Sequence, residues 1–253
     1  MTLLTVKDLS KSYKRGRPVF SNISFDLHKG ECLALVGESG SGKSTLARCL
    51  LRIEATDHGS IFLNGKAIEK LSERQLKPYR KKIQAVFQNP MASLNPKLKI
   101  KDSLIDPYMQ YKSELRLAHF SYTSKDAYVK QLLEAVELPV FLADRYPHEL
   151  SGGQRQRVTI ARAISIEPEL VLLDEPTASL DVISQNAVLQ LLTELRQNLN
   201  LSYLFISHDL AAVNQMSQRT MVMKDGQIVD QFEQQHLFAD ERHPYTKELV
   251  SIF

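Results

Sequence analysis

The sequence predicts an α/β fold with a mixed β-sheet in its core, an antiparallel β subdomain at the N-terminus and an inserted helical subdomain. Continuous apolar runs that end at polar residues indicate strands buried on both faces, as in a parallel sheet. Alternating apolar and polar residues near the N-terminus indicate half-buried antiparallel strands. Between residues 89 and 150 the apolar residues recur at helical spacing, which indicates the insertion.

The N-terminal alternation covers residues 3–9 and 19–27, with a polar turn between them. That turn region contains one aromatic residue, Tyr13. An exposed loop tyrosine usually has no special role. Stacking of a base on an aromatic ring is nevertheless worth about 1–3 kcal/mol. Tyr13 is therefore a candidate for stacking on adenine if other motifs indicate a nucleotide.

A loop rich in glycine and serine follows the apolar run at residues 32–36 and precedes a helix-forming segment at 45–51. The loop has the G-x-x-x-x-G-K-[ST] pattern of a P-loop. Glycine permits the backbone dihedrals and the close approach that a loop around a polyphosphate needs. The N–H groups then face the anion, and the positive end of the following helix adds to them. The P-loop residues are Gly37, Glu38, Ser39, Gly40, Ser41, Gly42, Lys43, Ser44 and Thr45.

Two of these residues have distinct predicted roles. In a P-loop the lysine reaches the β- and γ-phosphates and the serine or threonine hydroxyl holds Mg²⁺, which assigns these roles to Lys43 and Ser44. The alternative is a chance match in a flexible turn, and the strand before the loop and the helix after it argue against that. The sequence therefore predicts that the chain binds a nucleoside triphosphate.

The predicted helical lobe begins after a buried-strand pattern at residues 83–87, which ends at Gln88. Asn89-Pro90 breaks the strand, and apolar residues at helical spacing follow, for example between Val129 and Val136. We interpret residues 1–253 as a single domain. Its predicted parts are a core at 1–88 and 156–253, a helical subdomain at 89–155 and a short helical tail at 234–253.

The lobe closes at a second turn with glycines, Ser151-Gly152-Gly153-Gln154. Ser151 is a suitable N-cap for a helix over 154–165, and the glycines leave N–H groups free. Such a helix end can bind an anion. Two phosphate sites in one small domain are unexpected unless the second serves a nucleotide held by another subunit. The alternative is a capped helix whose glycines serve packing.

Two further strands end at residues that suit hydrolysis. The apolar run 170–173 ends at Asp174 and Glu175, and active sites of parallel sheets lie at the carboxyl ends of the strands. Asp174 is suited to hold Mg²⁺, directly or through water, and Glu175 to orient and deprotonate the attacking water. The alternative is an acidic pair that caps a helix. The strand at 203–206 leads to His208, a candidate for contacting the γ-phosphate.

The composition is that of a globular protein, with 43% hydrophobic and 24% charged residues. Cys32 and Cys49 have no metal-binding spacing and are expected in the core. The net charge of +3 is too small to indicate nucleic acid as a partner, and the basic clusters at 77–82 and 97–101 are expected to be solvated. No apolar run approaches the roughly 18 residues of a membrane span. Attachment to a membrane would therefore need another chain.

In their order along the chain, these motifs resemble those of the nucleotide-binding domain of ABC ATPases. The resemblance extends over the whole chain. It implies ATP and Mg²⁺ as cofactors and a dimer in which two ATP molecules lie between two such domains. The turn at residues 151–154 matches the family's signature motif, which contacts the ATP of the opposite subunit in that dimer.

The resemblance also implies roles for individual residues. Tyr13 would stack on adenine, and Gln88 would contact Mg²⁺ and the attacking water and link the site to the helical lobe. Glu175 would be the general base and His208 the switch histidine. Asp181 matches a loop that crosses the dimer interface. The implied metal ligands are Ser44, Gln88 and Asp174.

Three segments resemble dipeptide, oligopeptide and nickel importers in particular: 87–96, 145–150 and 243–249. Asn89 stands where that group commonly has aspartate, and we expect this difference to be minor. The chain ends soon after the third segment, without the cysteine-bearing extension of several peptide-type subunits. Peptides, nickel and metal chelates therefore all stay open as solutes, with a slight preference for nickel or a metal complex.

The predicted function is ATP hydrolysis by a subunit of a membrane importer, located peripherally at the cytoplasmic face of the cell membrane. The expected partners are a second ABC ATPase subunit in a homo- or heterodimer, transmembrane permease subunits and, indirectly, an extracytoplasmic solute-binding protein. One alternative is a soluble ABC ATPase of the iron–sulfur cluster assembly type, and the segment after Gln88 argues against it. Another is a non-hydrolysing regulator, and the presence of Glu175 and His208 argues against that.

Overall fold

The computed structural model describes residues 1–14 and 17–251 of the chain. The strands in these ranges are β1 (Thr2–Lys14), β2 (Arg17–His28), β3 (Cys32–Val36), β4 (His58–Leu63), β5 (Lys66–Ala67), β6 (Ile83–Val86), β7 (Leu170–Asp174), β8 (Ser202–Ile206), β9 (Arg219–Lys224) and β10 (Gln227–Glu233). The α-helices are α1 (Lys43–Leu50), α2 (Glu73–Arg80), α3 (Pro90–Ser93), α4 (Ile100–Tyr111), α5 (Lys125–Ala135), α6 (Gly152–Ile164), α7 (Val182–Asn198), α8 (Leu210–Met216) and α9 (Pro244–Ser251). Within the described ranges, none of the helices combines the length and apolar character that crossing a bilayer requires.

The N-terminal strands form an antiparallel sheet in the order β2-β1-β4-β5. Val6 of β1 lies opposite Phe25 of β2 on one side and Ile61 of β4 on the other. The turn between β4 and β5 contains Asn64 and Gly65, both with positive φ, as the Asn-Gly pair predicts. The antiparallel N-terminal sheet thus agrees with the prediction from sequence alternation. Tyr13, however, lies in β1 and not in a turn, because the pairing of β1 with β2 continues to Lys14. Residues 15 and 16 of the predicted turn lie outside the described residues.

The central sheet has the order β10-β9-β3-β8-β7-β6 and is mixed, because only β10 runs antiparallel to its neighbour. Ile206 of β8 lies between Leu35 of β3 and Asp174 of β7. The carboxyl ends of these three strands therefore meet at one edge of the sheet. β9 and β10 form a hairpin through Asp225 and Gly226, whose positive φ values are those of a type I′ turn.

The central sheet is buried on both faces, and its strands serve two cores. Leu33 and Leu35 of β3 pack with α1 and the antiparallel sheet, whereas Ala34 and Val36 pack with α6, α7 and the helical lobe. This division follows from the two-residue period of a strand. Both cysteines are free and buried, as expected.

Residues 89–151, all of them described, contain α3, α4, α5 and short 3-10 helices but no strand. The helical character of the insertion therefore agrees with the prediction. α6 begins at Gly152, two residues before the predicted start, and continues unbroken from the lobe into the core. The predicted limit between 155 and 156 thus lies inside a helix. The predicted short helical tail after residue 234 contains a 3-10 turn, Gln234–His236, and α9.

Candidate active site

The P-loop joins β3 to α1, and its backbone approaches the neighbouring strand β9 closely. A Cβ atom on Gly37, where φ is +149°, would lie 2.1 Å from the carbonyl oxygen of Met223. Gly42 has φ of +106°, and a Cβ there would lie 3.0 Å from the carbonyl oxygen of Val19. Neither position accepts a side chain without displacing backbone. The glycines therefore allow the loop to fit between the two sheets.

Lys43 is the first residue of α1, and the P-loop encloses its side chain. The residue is only 6% exposed, and its ammonium donates to the carbonyl oxygens of Gly37 at 2.7 Å and Glu38 at 2.8 Å. Burial lowers the pKa of Lys43, while the carboxylates of Glu175 and Asp174 oppose this shift. The structure thus brings the P-loop ammonium close enough to Asp174 and Glu175 for their charges to act on it.

Ser44 and Asp174 bring a hydroxyl and a carboxylate together. Oγ of Ser44 donates to Oδ1 of Asp174 at 3.2 Å. Burial raises the pKa of Asp174, and the hydrogen bond from Ser44 opposes the shift. Mg²⁺ prefers such oxygen ligands and commonly takes one or two from the protein, with the rest from phosphates and water. The described residues contain no cluster of three or more His, Cys, Asp or Glu that could hold a metal. The oxygen atoms of Ser44 and Asp174 fit a Mg²⁺ ion that takes its other ligands from a nucleotide and water.

Glu175 follows β7 in a left-handed backbone conformation, with φ of +49°, which is uncommon for a residue with a side chain. Its N–H donates to the carbonyl oxygen of Ile206 at 2.9 Å, which fixes this turn against β8. Oε1 of Glu175 lies 3.3 Å from Nδ1 of His208. The side chains of Glu175 and His208 are 20% and 63% exposed. β8 thus holds the backbone of Glu175, and the segment after β8 places His208 beside its carboxylate.

Tyr13 and Gln88 lie at the periphery of this site. The Tyr13 hydroxyl donates to the carboxylate of Glu54, which raises the pKa of Tyr13, whereas Thr45 lowers it. Tyr13 therefore lies near the end of the P-loop, with 59% of the residue exposed. Gln88 follows β6, whose carboxyl end lies next to that of β7, and its side chain is exposed. Within the described residues, Gln88 forms no hydrogen bond to Asp174 or to Ser44, so the structure does not join it to them.

The other predicted residues lie where α6 and α7 begin. Oγ of Ser151 accepts from the N–H of Gln154 at 3.2 Å, and Oε1 of Gln154 accepts from the N–H of Ser151 at 2.9 Å. This reciprocal pair is a capping box. Asp181 caps α7 by accepting from the N–H of Ser184 at 3.0 Å and from its hydroxyl at 2.7 Å. These hydrogen bonds lower the pKa of Asp181.

The starts of α6 and α7 touch. A Cβ on Gly152 would lie 3.6 Å from Leu180, and a Cβ on Gly153 would lie 3.6 Å from Oγ of Ser184. A cavity of about 440 Å³ lies beside them, and none of the described residues that line it belongs to the P-loop. One chain therefore holds two separate clusters. We call them the P-loop edge (residues 37–45 with Asp174, Glu175 and His208) and the α6–α7 cluster (residues 151–154 with Asp181).

Tyr245 contacts the P-loop edge but was not predicted from the sequence. Its hydroxyl accepts a hydrogen bond from the N–H of Glu38 at 3.1 Å. Segment 243–249 stands out in the sequence only through its resemblance to importers. No local pattern could reveal this contact, because it depends on where α9 docks, 207 residues further along the chain.

The fold and the P-loop edge define an α/β nucleotide-binding domain with a helical insertion. The sequence profile of the family described as "ABC transporter" matches residues 20–178, which is more than half of the chain. The chain belongs to the ABC transporter family and is one of its ATP-binding cassettes. The family predicted from the motifs is thereby confirmed.

Two relatives and one solved structure show how far the similarity extends. The glutathione import ATP-binding protein GsiA of Escherichia coli (strain K12) is 46% identical over 231 residues, which cover 90% of this chain and 36% of the relative. This chain therefore spans about a third of the length of GsiA. The oligopeptide transport ATP-binding protein OppF of Streptococcus mutans is 40% identical over 253 residues, which cover 98% of this chain and 80% of the relative.

The solved structure is that of the ATP-binding cassette MJ0796, a dimer in a post-hydrolysis state bound to ADP and Pi. It superposes with a TM-score of 0.80 at 28% identity and covers 92% of this chain and 99% of its own. The predicted fold class, an ABC ATPase cassette with an antiparallel N-terminal subdomain and a helical insertion, is confirmed by this match.

Proposed function

We propose that the chain binds ATP with Mg²⁺ and hydrolyses it as the nucleotide-binding subunit of an ABC importer. The observation that carries this proposal is the P-loop edge, where Lys43 lies inside its loop, Ser44 bonds Asp174 and Glu175 lies beside His208. A buried ammonium, a buried carboxylate and a left-handed glutamate each cost folding free energy. Such costs concentrate at functional sites.

ATP binding rests on the backbone of the P-loop and on Lys43. The loop's N–H groups and the N-terminus of α1 supply positive potential for the phosphates. Lys43 would contact the β- and γ-phosphates, and the exposed ring of Tyr13 is available to stack on adenine. The MJ0796 cassette, of the same fold, is described as bound to ADP and Pi. That ligand supports the same class of nucleotide for this chain.

Ser44 and Asp174 would hold Mg²⁺, with Gln88 as a further ligand. The ion would supply charge neutralisation between the phosphate oxygens. The Ser44 hydroxyl and the Asp174 carboxylate already lie 3.2 Å apart, so both can face one ion after small rotations. Gln88 is two residues beyond a strand that neighbours β7, and it would have to turn inward to reach the same point.

Hydrolysis requires a base for the attacking water, and Glu175 has that role in our proposal. Its carboxylate would orient the water towards the γ-phosphate and accept its proton. His208 would keep the carboxylate in place through Nδ1, at the observed separation of 3.3 Å. Its other ring nitrogen is then free to face the γ-phosphate. Because the Glu175 turn is bonded to β8, this geometry needs little reorganisation.

We further propose that the α6–α7 cluster completes the site of a second copy or of a related ATPase subunit. Ser151, Gly152, Gly153 and Gln154 would offer a helix N-terminus to the opposite ATP, and Asp181 would lie at the interface. The solved cassette MJ0796 is dimeric, which supports this arrangement. The capping box keeps the Ser151 hydroxyl at the helix end, where a phosphate would meet it.

Peptides are the solutes that the relatives favour. GsiA and OppF are described as serving glutathione and oligopeptide transport. Neither name supports the slight preference for nickel or a metal complex, and neither belongs to iron–sulfur cluster assembly. The proposed partners are transmembrane permease subunits, with a solute-binding protein acting indirectly. The chain would then lie peripherally at the cytoplasmic face of the membrane, as one domain whose helical subdomain covers 89–155.

The proposal is tested by Glu175→Gln, which keeps the shape of the side chain and removes the base. We expect ATP affinity to stay within about twofold and steady-state hydrolysis to fall about 10²–10⁴-fold, the usual contribution of a general base. Affinity is measured by titration of a fluorescent ATP analogue, hydrolysis by phosphate release and dimer formation by gel filtration with ATP. The trapped ATP should make the variant dimeric.

The matched control is Glu194→Gln, on the exposed face of α7, where the carboxylate bonds only Gln190 among the described contacts. It should bind and hydrolyse ATP like the wild type. If Glu175→Gln hydrolyses ATP at the wild-type rate, Glu175 is not the base. If the wild-type chain binds no ATP, the proposed function is wrong.

A further inference from the structure

The C-terminal helix α9 contacts the start of the P-loop. The hydroxyl of Tyr245 accepts a hydrogen bond from the N–H of Glu38 at 3.1 Å. Tyr245 is 3% exposed, so its ring is enclosed. A buried tyrosine whose hydroxyl meets a specific backbone group has one defined orientation. The contact therefore joins the tail to the second residue of the P-loop.

The Tyr245 side chain is held by the hairpin of β9 and β10. Nζ of Lys224, the last residue of β9, lies 4.3 Å from the centre of the Tyr245 ring, within the range of a cation–π contact. Asp230 of β10 accepts from the N–H of His243 at 2.9 Å and from Oγ1 of Thr246 at 2.8 Å. A carboxylate at a helix start is favourable to the helix dipole. α9 is thus fixed at the end that carries Tyr245.

The same hairpin also touches the P-loop directly. Gly37 lies against the carbonyl group of Met223 so closely that a Cβ would not fit. The start of the loop is therefore held at two successive residues, Gly37 by β9 and Glu38 by α9. Further along α9, Leu249 shares a cavity of about 340 Å³ with Gly37, Glu38 and His208. One helix thus borders both the P-loop and the loop that carries His208.

We infer that Tyr245 is a positioning residue for the P-loop, holding its first residues in the conformation that accepts the phosphates of ATP. This inference rests on the proposed function. Tyr245 itself would not touch the nucleotide. Its contribution would be preorganisation, because a loop that is already fixed loses less conformational entropy on binding. Since burial raises the pKa of Tyr245, the hydroxyl stays protonated at neutral pH.

The test is Tyr245→Phe, which removes the hydroxyl and keeps the ring. The matched control is Tyr203→Phe, which removes the hydroxyl of another buried tyrosine. That hydroxyl donates to the carbonyl oxygen of Leu192 at 3.0 Å. Tyr203 lies near the amino end of β8, opposite the P-loop edge. Amide hydrogen exchange of residues 37–42 reports the order of the loop without any nucleotide. Titration of a fluorescent ATP analogue and steady-state kinetics report its effect on binding.

In Tyr245→Phe we expect faster exchange across residues 37–42 and ATP affinity that is lower by about two- to tenfold, the range for loss of one hydrogen bond. KM should rise by a similar factor while kcat stays within about twofold. Tyr203→Phe should change neither the exchange nor the affinity. An unchanged exchange rate in Tyr245→Phe, or an equal loss of affinity in both variants, would overturn the inference.

The two proposals fail in different ways. If the wild-type chain binds no ATP, the proposed function is wrong, while the exchange comparison still decides whether Tyr245 orders the loop. If the wild type binds ATP and Tyr245→Phe binds it equally well, only the positioning role is wrong. A fall in kcat without a rise in KM would also count against positioning, because it would give Tyr245 a role in the reaction step.

Discussion

The P-loop edge and the α6–α7 cluster each place a helix N-terminus at a predicted phosphate site, but the two clusters differ in how deeply their side chains are buried. Lys43 and Asp174 at the P-loop edge are 6% and 9% exposed. Burial shifts the pKa of each towards the neutral form, down for the lysine and up for the aspartate. Ser151 and Asp181 in the α6–α7 cluster are exposed. The hydrogen bonds that Ser151 and Asp181 accept cap the N-termini of α6 and α7 in the same chain.

Next to the α6–α7 cluster, Val182 and Ile183 are 73% and 83% exposed. Neighbouring large apolar side chains at the surface are typical of an interaction site. The difference teaches that the P-loop edge is organised within one chain, at a cost in folding free energy. The α6–α7 cluster costs little in the free chain, and in our proposal it gains its role only against a partner. The following substitutions test this contrast.

Lys43→Ala should have the largest effect on binding. A hydrogen bond to a charged group contributes about 1.5–3 kcal/mol, so ATP affinity should fall about 10- to 150-fold. Titration with a fluorescent ATP analogue measures the change. The control is Lys130→Ala, because the Lys130 side chain is 58% exposed and pairs with Glu134 on the surface. Unchanged affinity in Lys43→Ala would remove the lysine from the phosphate site.

Ser151→Ala should reduce hydrolysis and leave ATP binding by the single chain unchanged. The matched control is Ser124→Ala, since each serine caps a helix with Oγ 3.2 Å from the backbone N–H three residues on. Loss of either cap costs about 1 kcal/mol, so both variants should lose about 2–4 °C in thermal midpoint. Only Ser151→Ala should lose steady-state hydrolysis, by about tenfold or more. A wild-type rate in that variant would contradict a site shared between two copies.

The sequence was sufficient for features that depend on local patterns. The strand before the P-loop, the glycines at 37 and 42 and the helical lobe all follow from periodicity or from the backbone freedom of glycine. The order of Asp174 and Glu175 after an apolar run placed them at the carboxyl edge of the sheet, and the register of β7 with β8 agrees. These features are predictable because each needs only a few neighbouring residues.

Contacts between segments that are distant along the chain could not be predicted from the sequence. The pairing of Glu175 with His208 depends on β7 lying next to β8, and Tyr245 reaches Glu38 only because α9 docks on the β9–β10 hairpin. Neither contact has a local signal. Helix limits differ from the prediction by one or two residues. At α6, for example, Ser151 caps the helix so that it begins at Gly152 and not at the predicted residue 154.

Asp174→Asn should stabilise the chain in the absence of nucleotide while abolishing hydrolysis. Because burial raises the pKa of Asp174, the folded state binds its proton more tightly than the unfolded state, and stability falls as pH rises from the ordinary value to the raised one. Asparagine carries no charge and can still accept from Ser44. We expect a thermal midpoint about 1–3 °C higher at neutral pH. The difference in thermal midpoint between Asp174→Asn and the wild type should shrink as pH is lowered from the raised pKa of Asp174 to its ordinary value.

Asp181→Asn is the matched substitution in the α6–α7 cluster, and its effect should have the opposite sign. Hydrogen bonds from Ser184 lower the pKa of Asp181, so its ionised form stabilises the fold above the ordinary pKa, and this stabilisation is lost as pH falls through the lowered value. Asparagine keeps the cap and removes the charge that favours the helix start. The thermal midpoint at neutral pH should therefore fall slightly. If both variants shift the midpoint in the same direction, the two clusters do not differ in the electrostatic cost that burial imposes.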